Sequence, residues 1–214
     1  MERTKNLVKH KEMLFLYLIF SVGIFGHLFY PLRELMLFLT PVTLLLTGTL
    51  VLFTSYKGSN KFLKWITLTY LLTFAFEVIG IKTGLIFGEY KYGETLGLKL
   101  FEVPLIIGFN WILVILGTIS VAQLITQNVL ANSLIAATLS VVFDLVLEPI
   151  AIKLDYWQWS QNVIPIQNYI AWFLIAFISA LLFSILKVKM QSGLSKHYLL
   201  VQFIFFVSLL LFYS

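Results

Sequence analysis

The chain has 214 residues, of which 60% are hydrophobic and 12% are charged, and its mean hydropathy is +0.94. A soluble domain is typically about 25% charged, so this composition indicates a protein surrounded by lipid. The net charge of +5 fits basic loops beside a membrane better than it fits nucleic-acid binding. The absence of cysteine excludes disulfides, thiol nucleophiles and iron–sulfur ligation. The isolated His10, His27 and His197 argue against a histidine-rich di-iron oxygenase.

Seven apolar runs follow a basic lead-in at residues 1–12. Runs of about 18 or more apolar residues are typical of membrane spans. Backbone polar groups in lipid have to be paired within the segment, so such spans are helices. The predicted spans are 13–29, 35–53, 62–81, 104–125, 129–152, 167–186 and 198–213. The sequence therefore predicts an all-α polytopic bundle, with an uncleaved first helix and a single integral membrane domain over residues 1–214.

The basic residues predict the orientation of these spans, because cytoplasmic loops are enriched in Lys and Arg. With the N-terminus inside, the inner segments hold Arg3, Lys5, Lys9, Lys11, Lys57, Lys61, Lys64, Lys187, Lys189 and Lys196. The outer segments then hold Arg33, Lys82, Lys91, Lys99 and Lys153. We therefore expect the N-terminus inside and the C-terminus outside, and we expect the membrane to be a bacterial cytoplasmic membrane.

Two connections on the expected outer side are rich in aromatic residues. The segment 82–103 contains Tyr90 and Tyr92, and the segment 153–166 contains Trp157 and Trp159. Interfacial aromatic belts contain such residues, but loops held by rigid helices are also where binding sites are commonly built. For the two tryptophans the sequence leaves both interpretations open.

Three carboxylates lie within or at the edges of the predicted spans, where each costs roughly 2.5–3.5 kcal/mol at the bilayer centre on insertion scales. They are Glu77, Asp144 and Glu148. Asp144 and Glu148 are four residues apart, so they share one helix face. All three lie toward the outer ends of their spans, where we expect them to meet in a buried catalytic site. Two carboxylates one turn apart in a dry site cannot easily both ionise, so we expect an acid beside a potential base.

Polar and aromatic residues at the same expected depth are candidates for substrate binding. His27, Asn110 and Asn168 also lie near the outer ends of their spans. Aromatic rings nearby are relevant because they stabilise cations within about 6 Å. The predicted substrate-binding residues are Thr73, Tyr90, Tyr92, Asn110, Trp111, Trp157, Trp159, Asn168 and Trp172.

Three prolines predict local features of the helices near these residues. Pro104 and Pro165 are expected to mark the starts of the fourth and sixth spans, because proline is favoured in the first turn of a helix. Pro149 directly follows Glu148 and is expected to end or kink the fifth span, because proline lacks a backbone N–H.

A series of short motifs runs through residues 70–180. They are Glu77-Val78-Ile79-Gly80 with Thr83–Tyr92, Val103-Pro104-Leu105 leading to Trp111, Asp144 with Glu148-Pro149, Tyr156-Trp157-Gln158-Trp159, and Ile164-Pro165 leading to Asn168 and Trp172. In this order they resemble the membrane carotenoid hydratase family, the CruF-type carotenoid biosynthesis proteins or carotenoid 1,2-hydratases. Ile164 and Ala171 stand where that family is expected to have Val and Gly, and both differences are conservative.

This resemblance implies that water is added to the terminal C1–C2 double bond of an acyclic carotenoid end group, of the lycopene or γ-carotene type, to give a tertiary alcohol. Such a hydration needs a dry acid, stabilisation of a carbocation and a positioned water. It needs no metal, flavin or nucleotide, and we expect no cofactor. The expected partners are a lipophilic polyene from the bilayer, membrane lipid and other carotenoid-pathway enzymes, with no nucleic acid.

The mechanism that we expect from these residues divides the work among three groups. One carboxyl group of the Asp144 and Glu148 pair protonates the alkene. Trp111 or Trp172 stabilises the tertiary cation, and Glu77 or the second carboxylate deprotonates the attacking water. The sequence does not decide which carboxylate is the acid and which is the base.

Other functions remain open from the sequence. A terpenoid cyclase or isomerase would protonate the same kind of alkene and capture the cation with another double bond. A prenyltransferase is disfavoured, because the acidic segment 144–148 has no second cluster to complete a diphosphate site. A small proton-coupled transporter would use the same three carboxylates as a relay, although the sequence contains no inverted repeat that would support it.

Overall fold

The computed structural model describes residues 2–56, 58–160, 162–190 and 193–213, with side chains from residue 10 onward. Its helices are α1 (Glu2–Leu28), α2 (Tyr30–Ser55), α3 (Asn60–Thr83), α4 (Leu105–Ile125), α5 (Val129–Lys153), α6 (Ile166–Ile185) and α7 (Leu194–Tyr213). Within the described residues all seven are long and apolar enough to cross a membrane. The prediction of a seven-span all-α bundle is therefore confirmed, with α1 beginning well before residue 13 and α7 before residue 198.

The N-terminus-inside orientation stays a prediction, because nothing in the bundle distinguishes the two sides of a membrane. One basic residue used for it, Lys57, lies outside the described residues, as do the side chains of Arg3, Lys5 and Lys9.

Helix α4 lies at the centre of the bundle and contacts α2, α3, α5, α6 and α7. Its most apolar window is 78% buried, against 22% for α1 and for α2. A helix that is hydrophobic on all faces is typical of such a central position. The peripheral helices instead expose large apolar side chains such as Phe38 and Phe53, as expected for lipid-facing surfaces.

Four short strands lie in the described parts of the connections between α3 and α4 and between α5 and α6. They are β1 (Tyr90–Tyr92), β2 (Lys99–Leu100), β3 (Val103–Pro104) and β4 (Trp157–Trp159). β1 pairs with β4 in antiparallel register, with Tyr90 opposite Trp159 and Tyr92 opposite Trp157. β2 and β3 form a second pair. Alternate residues of a strand project to one face, so these two tyrosines and two tryptophans share one face of the β1–β4 ladder.

The helix ends near this ladder agree only in part with the predictions from proline. Pro104 and Pro165 are the N-cap residues of α4 and α6, as expected. Pro149 does not end the fifth span, because α5 continues to Lys153, close to the predicted end at residue 152; a kink at Pro149 stays a prediction. Bonds from outside the helix hold this last turn: the Tyr156 backbone N–H donates to the carbonyl oxygen of residue 151 at 2.8 Å, and the Gln158 side chain donates to that of residue 152 at 3.0 Å.

The ends of α1, α5 and α7 and the start of α2 meet at the same end of the bundle as the strands. Tyr213 donates its hydroxyl hydrogen to the backbone oxygen of His27 at 2.8 Å, and Arg33 donates to the backbone oxygen of Lys153 at 3.2 Å. We call this the strand-bearing end. It brings together the outer ends that the sequence predicted for these spans.

The close approach of α4 and α7 at Gly117 gives a test of the packing. A Cβ atom there would lie 2.7 Å from Leu199 Cβ and 3.0 Å from the Ser195 backbone oxygen. We expect Gly117→Val to destabilise the bundle by about 1–3 kcal/mol through overpacking. The measurement is the midpoint of thermal unfolding in detergent. Gly193→Val is the control, because among the described residues a Cβ at Gly193 meets only the Lys196 side chain, at 3.4 Å or more. Equal midpoints for the two variants would contradict this packing.

Candidate active site

Glu77 is held near the end of α3 by three hydrogen-bond donors from other elements. Its Oε2 atom accepts from the hydroxyl of Tyr90 at 2.5 Å and from that of Tyr92 at 2.8 Å. Its Oε1 atom accepts from Trp111 Nε1 at 2.8 Å. The side chain is only 5% exposed, so these bonds replace the hydration that burial removes.

Glu148, on α5, has a similar set of donors. Its Oε2 atom accepts from Trp157 Nε1 at 3.0 Å and from Trp159 Nε1 at 2.9 Å. Its Oε1 atom accepts from Asn168 Nδ2 at 3.0 Å. The two indoles come from β4 and are 8% and 5% exposed, so the interpretation of Trp157 and Trp159 as an interfacial belt is wrong.

Asp144 lies one helical turn before Glu148 and is completely buried. Its Oδ2 atom accepts from Asn168 Nδ2 at 2.7 Å, so one amide nitrogen bridges the two carboxyl groups. Its Oδ1 atom has no hydrogen-bond partner among the described residues. Two full negative charges on neighbouring carboxyl groups without water around them are energetically costly. The arrangement therefore favours one proton shared between Asp144 and Glu148.

Glu77 and Glu148 line one cavity of about 30 Å³ at the strand-bearing end. A water molecule needs roughly 10–15 Å³ of such volume, so the cavity has room for one or two waters. Eight of the predicted substrate-binding residues line it: Tyr90, Tyr92, Asn110, Trp111, Trp157, Trp159, Asn168 and Trp172. Phe87, Ile107 and Leu147 also line it. These three were not predicted as site residues, although Ile107 lies one helical turn before Trp111 and Leu147 is adjacent to Glu148.

Three other residues lie away from the cavity. Asp144 does not line it and sits behind Glu148. Thr73 is buried one turn before Glu77, and its hydroxyl donates to the backbone oxygen of Tyr70 at 3.2 Å. Thr73 does not line this cavity, and its role in substrate binding stays a prediction. His27 lines a separate groove between α1, α2 and α7.

The aromatic rings of the cavity pack closely on one another. The centroids of Trp111 and Trp172 are 3.9 Å apart, and those of Tyr90 and Trp159 are 5.1 Å apart. Apart from their O–H and N–H groups, these rings make the wall of the cavity apolar. A cation in this space would be stabilised by the ring quadrupoles.

The two tyrosine hydroxyls stay protonated in this environment. Burial, with the nearby charge of Glu77 as the second cause, raises the pKa of Tyr90 and of Tyr92 well above the ordinary value near 10. Both phenols therefore remain hydrogen-bond donors to Glu77 under ordinary conditions.

Taken together, the fold and the site define a polytopic helical membrane protein with two buried carboxyl groups on an aromatic-lined cavity. Residues 38–214 match the model of the family described as carotenoid biosynthesis protein, and the chain belongs to this family. The match agrees with the resemblance seen in the motifs.

One relative of this chain carries a name that states its activity. The bisanhydrobacterioruberin hydratase of Haloarcula japonica is 31% identical to this chain over 121 residues. The match covers 53% of this chain and 41% of the relative, so the chain spans less than half of the relative's length. No solved structure matches the chain.

The raised phenol pKa values predict how stability depends on pH. Above about pH 10 the unfolded chain releases tyrosine protons that the folded chain still holds, so the free energy of unfolding falls as the pH rises through this range. We expect the double variant Tyr90→Phe/Tyr92→Phe to show a shallower fall between about pH 9 and 11. The measurement is unfolding in detergent at a series of pH values.

The control for this experiment is Tyr30→Phe, because the side chain of Tyr30 is 85% exposed. This variant should keep the wild-type slope. A double variant with the wild-type slope would show that Tyr90 and Tyr92 titrate alike in the folded and unfolded chains, which contradicts their placement.

Proposed function

We propose that the chain is a hydratase that adds water to the terminal C1–C2 double bond of an acyclic carotenoid end group. The observation that carries this proposal is the pair of carboxyl groups, Glu77 and Glu148, that face one water-sized cavity with aromatic walls. The family assignment and the hydratase activity named for the relative support it.

The proton donor in this proposal is Glu148. It is the member of the Asp144 and Glu148 pair that lines the cavity, and Asn168 links the two carboxyl groups. The proton moves from Glu148 to C2 of the alkene, and the π electrons form the new C–H bond. The positive charge is then on C1, which is tertiary because it bears two methyl groups.

The cation is short-lived, and its surroundings determine its fate. The faces of Trp111 and Trp172 stabilise the charge, since aromatic faces attract cations. A water oxygen forms the C1–O bond and loses a proton to Glu77, which three donors hold in place. Transfer of this proton back to Glu148 through cavity water returns both groups to their starting states.

Capture by water distinguishes this reaction from cyclisation or isomerisation, which begin with the same protonation. The cavity beside the two carboxyl groups has the volume of one or two waters, which favours hydration. We also propose that the protein lies with its N-terminus inside a bacterial cytoplasmic membrane and takes its polyene from the bilayer.

Expression in cells that accumulate lycopene or γ-carotene tests the proposal. We expect wild type to add the mass of one water to the pigment. Glu77→Gln and Glu148→Gln should each lower the yield by about 10²-fold or more, the usual contribution of general acid–base groups. Glu34→Gln is the matched control, because Glu34 is an exposed carboxylate on α2. An altered pigment of unchanged mass would point to a cyclase or isomerase, and full activity in both glutamine variants would exclude this mechanism.

The position of Asp144 behind Glu148 predicts a smaller effect. Asp144→Asn removes a group that shares the proton but does not touch the cavity. We therefore expect its hydration rate to lie between those of wild type and Glu148→Gln, measured on purified protein with equal amounts of folded chain. A rate equal to that of wild type would show that Asp144 takes no part in holding the proton.

A further inference from the structure

The carboxylate cavity is far too small for the substrate of the proposed function. An extended carotenoid is about as long as the hydrocarbon core is thick, roughly 30 Å. The cavity of about 30 Å³ accommodates water and the reacting end at most. The rest of the polyene therefore needs its own path through the bundle.

A larger apolar space lies between α1, α2 and α7, which we call the α1/α2/α7 groove. Its volume is about 200 Å³, and its walls include Phe20, Leu39 and Phe205. Val22 on its rim is 53% exposed on the outer surface of the bundle. The groove is thus open to the position that lipid would occupy.

A small chamber of about 30 Å³ lies between this groove and the carboxylate cavity. Leu44, Tyr156, Gln202 and Phe206 line both the groove and the chamber. Ile107, Asn110, Leu147 and Trp157 line both the chamber and the carboxylate cavity. The three spaces therefore form a series that leads from the surface of the bundle to Glu77 and Glu148.

Polar atoms without partners lie along this series. Gln202 is 2% exposed, and its Nε2 donates to Asn110 Oδ1 at 3.3 Å and to the Tyr198 hydroxyl at 3.2 Å. Its Oε1 has no hydrogen-bond partner among the described residues. His27 is 5% exposed and donates from Nδ1 to the Gly23 carbonyl at 2.7 Å, which leaves Nε2 as a second buried acceptor with no described partner.

The missing partner of both atoms is a hydrogen-bond donor. A buried acceptor without a partner is costly, so a channel that held only hydrocarbon would gain nothing from either atom. A hydroxyl group that passes along the groove supplies such a donor. Hydration forms one at the end of the polyene, so the alcohol product meets these acceptors as it leaves.

We propose that the α1/α2/α7 groove and its connecting chamber form the binding channel for the polyene chain, with Gln202 and Asn110 at its narrow inner part. This inference rests on the proposed function for the identity of the polyene. The chain lies in the groove while its terminal double bond reaches Glu148. Because the groove is open at the surface, the substrate enters sideways from the lipid.

Filling the groove tests the channel. Thr43 lines the groove, whereas Thr138 lines a separate surface groove between α5 and α6. We expect Thr43→Phe to raise the Kd for lycopene roughly tenfold or more, because the ring takes volume that several methylene groups of the chain would fill. Thr138→Phe is the matched control and should keep the wild-type Kd. Binding is measured on the full chain in detergent by the quenching of tryptophan fluorescence by lycopene.

A second variant covers the case in which Thr43→Phe does not fold. Gly23→Leu fills the groove from α1, where a Cβ atom would lie no closer than 3.4 Å to Phe205. Folding of each variant is checked by its thermal midpoint. Wild-type lycopene affinity in folded Thr43→Phe or folded Gly23→Leu would overturn the channel.

Hydration assays separate this inference from the proposed function. Thr43→Phe should lower kcat/KM for lycopene roughly tenfold or more, and by a larger factor than for a short acyclic isoprenoid with the same end group, because the short chain fills less of the groove. Lycopene that binds in the groove without being hydrated by wild type would support the channel and refute the hydratase. Hydration by wild type that is insensitive to both filling variants would support the hydratase and refute the channel.

Discussion

A carboxyl group inside a helical bundle in lipid has no bulk water around it, so the protein itself has to supply its hydrogen-bond donors. Glu77 and Glu148 each accept three such bonds. Five of these six donors are aromatic, and they are Tyr90, Tyr92, Trp111, Trp157 and Trp159. Aromatic donors meet the polar requirement through a single O–H or N–H group while the ring remains apolar. The same side chains therefore hold the two acids and make the rest of their surroundings apolar.

The β1–β4 ladder makes this arrangement possible. Its strands belong to two connections that are far apart in the chain, and their antiparallel register sets Tyr90 opposite Trp159 and Tyr92 opposite Trp157. Strand alternation directs all four side chains to one face. The phenols then reach the carboxyl group of α3, and the indoles reach that of α5. Without this strand pairing, the backbone would not hold the four donors at the same depth in the bundle.

The two carboxyl groups that line the cavity have different partners. Glu148 has a second acid, Asp144, behind it and a bridging amide from Asn168. Glu77 has donors alone and no second acid in its hydrogen-bond set. In the proposed mechanism, the pair that shares a proton supplies the acid, and the hydrogen-bonded carboxylate of Glu77 supplies the base. In the proposed hydratase, the water-sized cavity between them and the apolar channel behind it provide the two reactants by different routes.

The amino-acid sequence was enough to predict the seven spans, because hydrophobic runs and the need to pair the backbone in lipid are local properties. It was enough to place Asp144 and Glu148 on one face, because helix geometry sets that spacing. Only the tertiary structure decided which of them faces the cavity and that the Thr73 hydroxyl bonds back to its own helix. These outcomes depend on how each helix is rotated about its axis and on strand pairing between distant loops. Such contacts are settled by the packing of the whole bundle, and no local pattern encodes them.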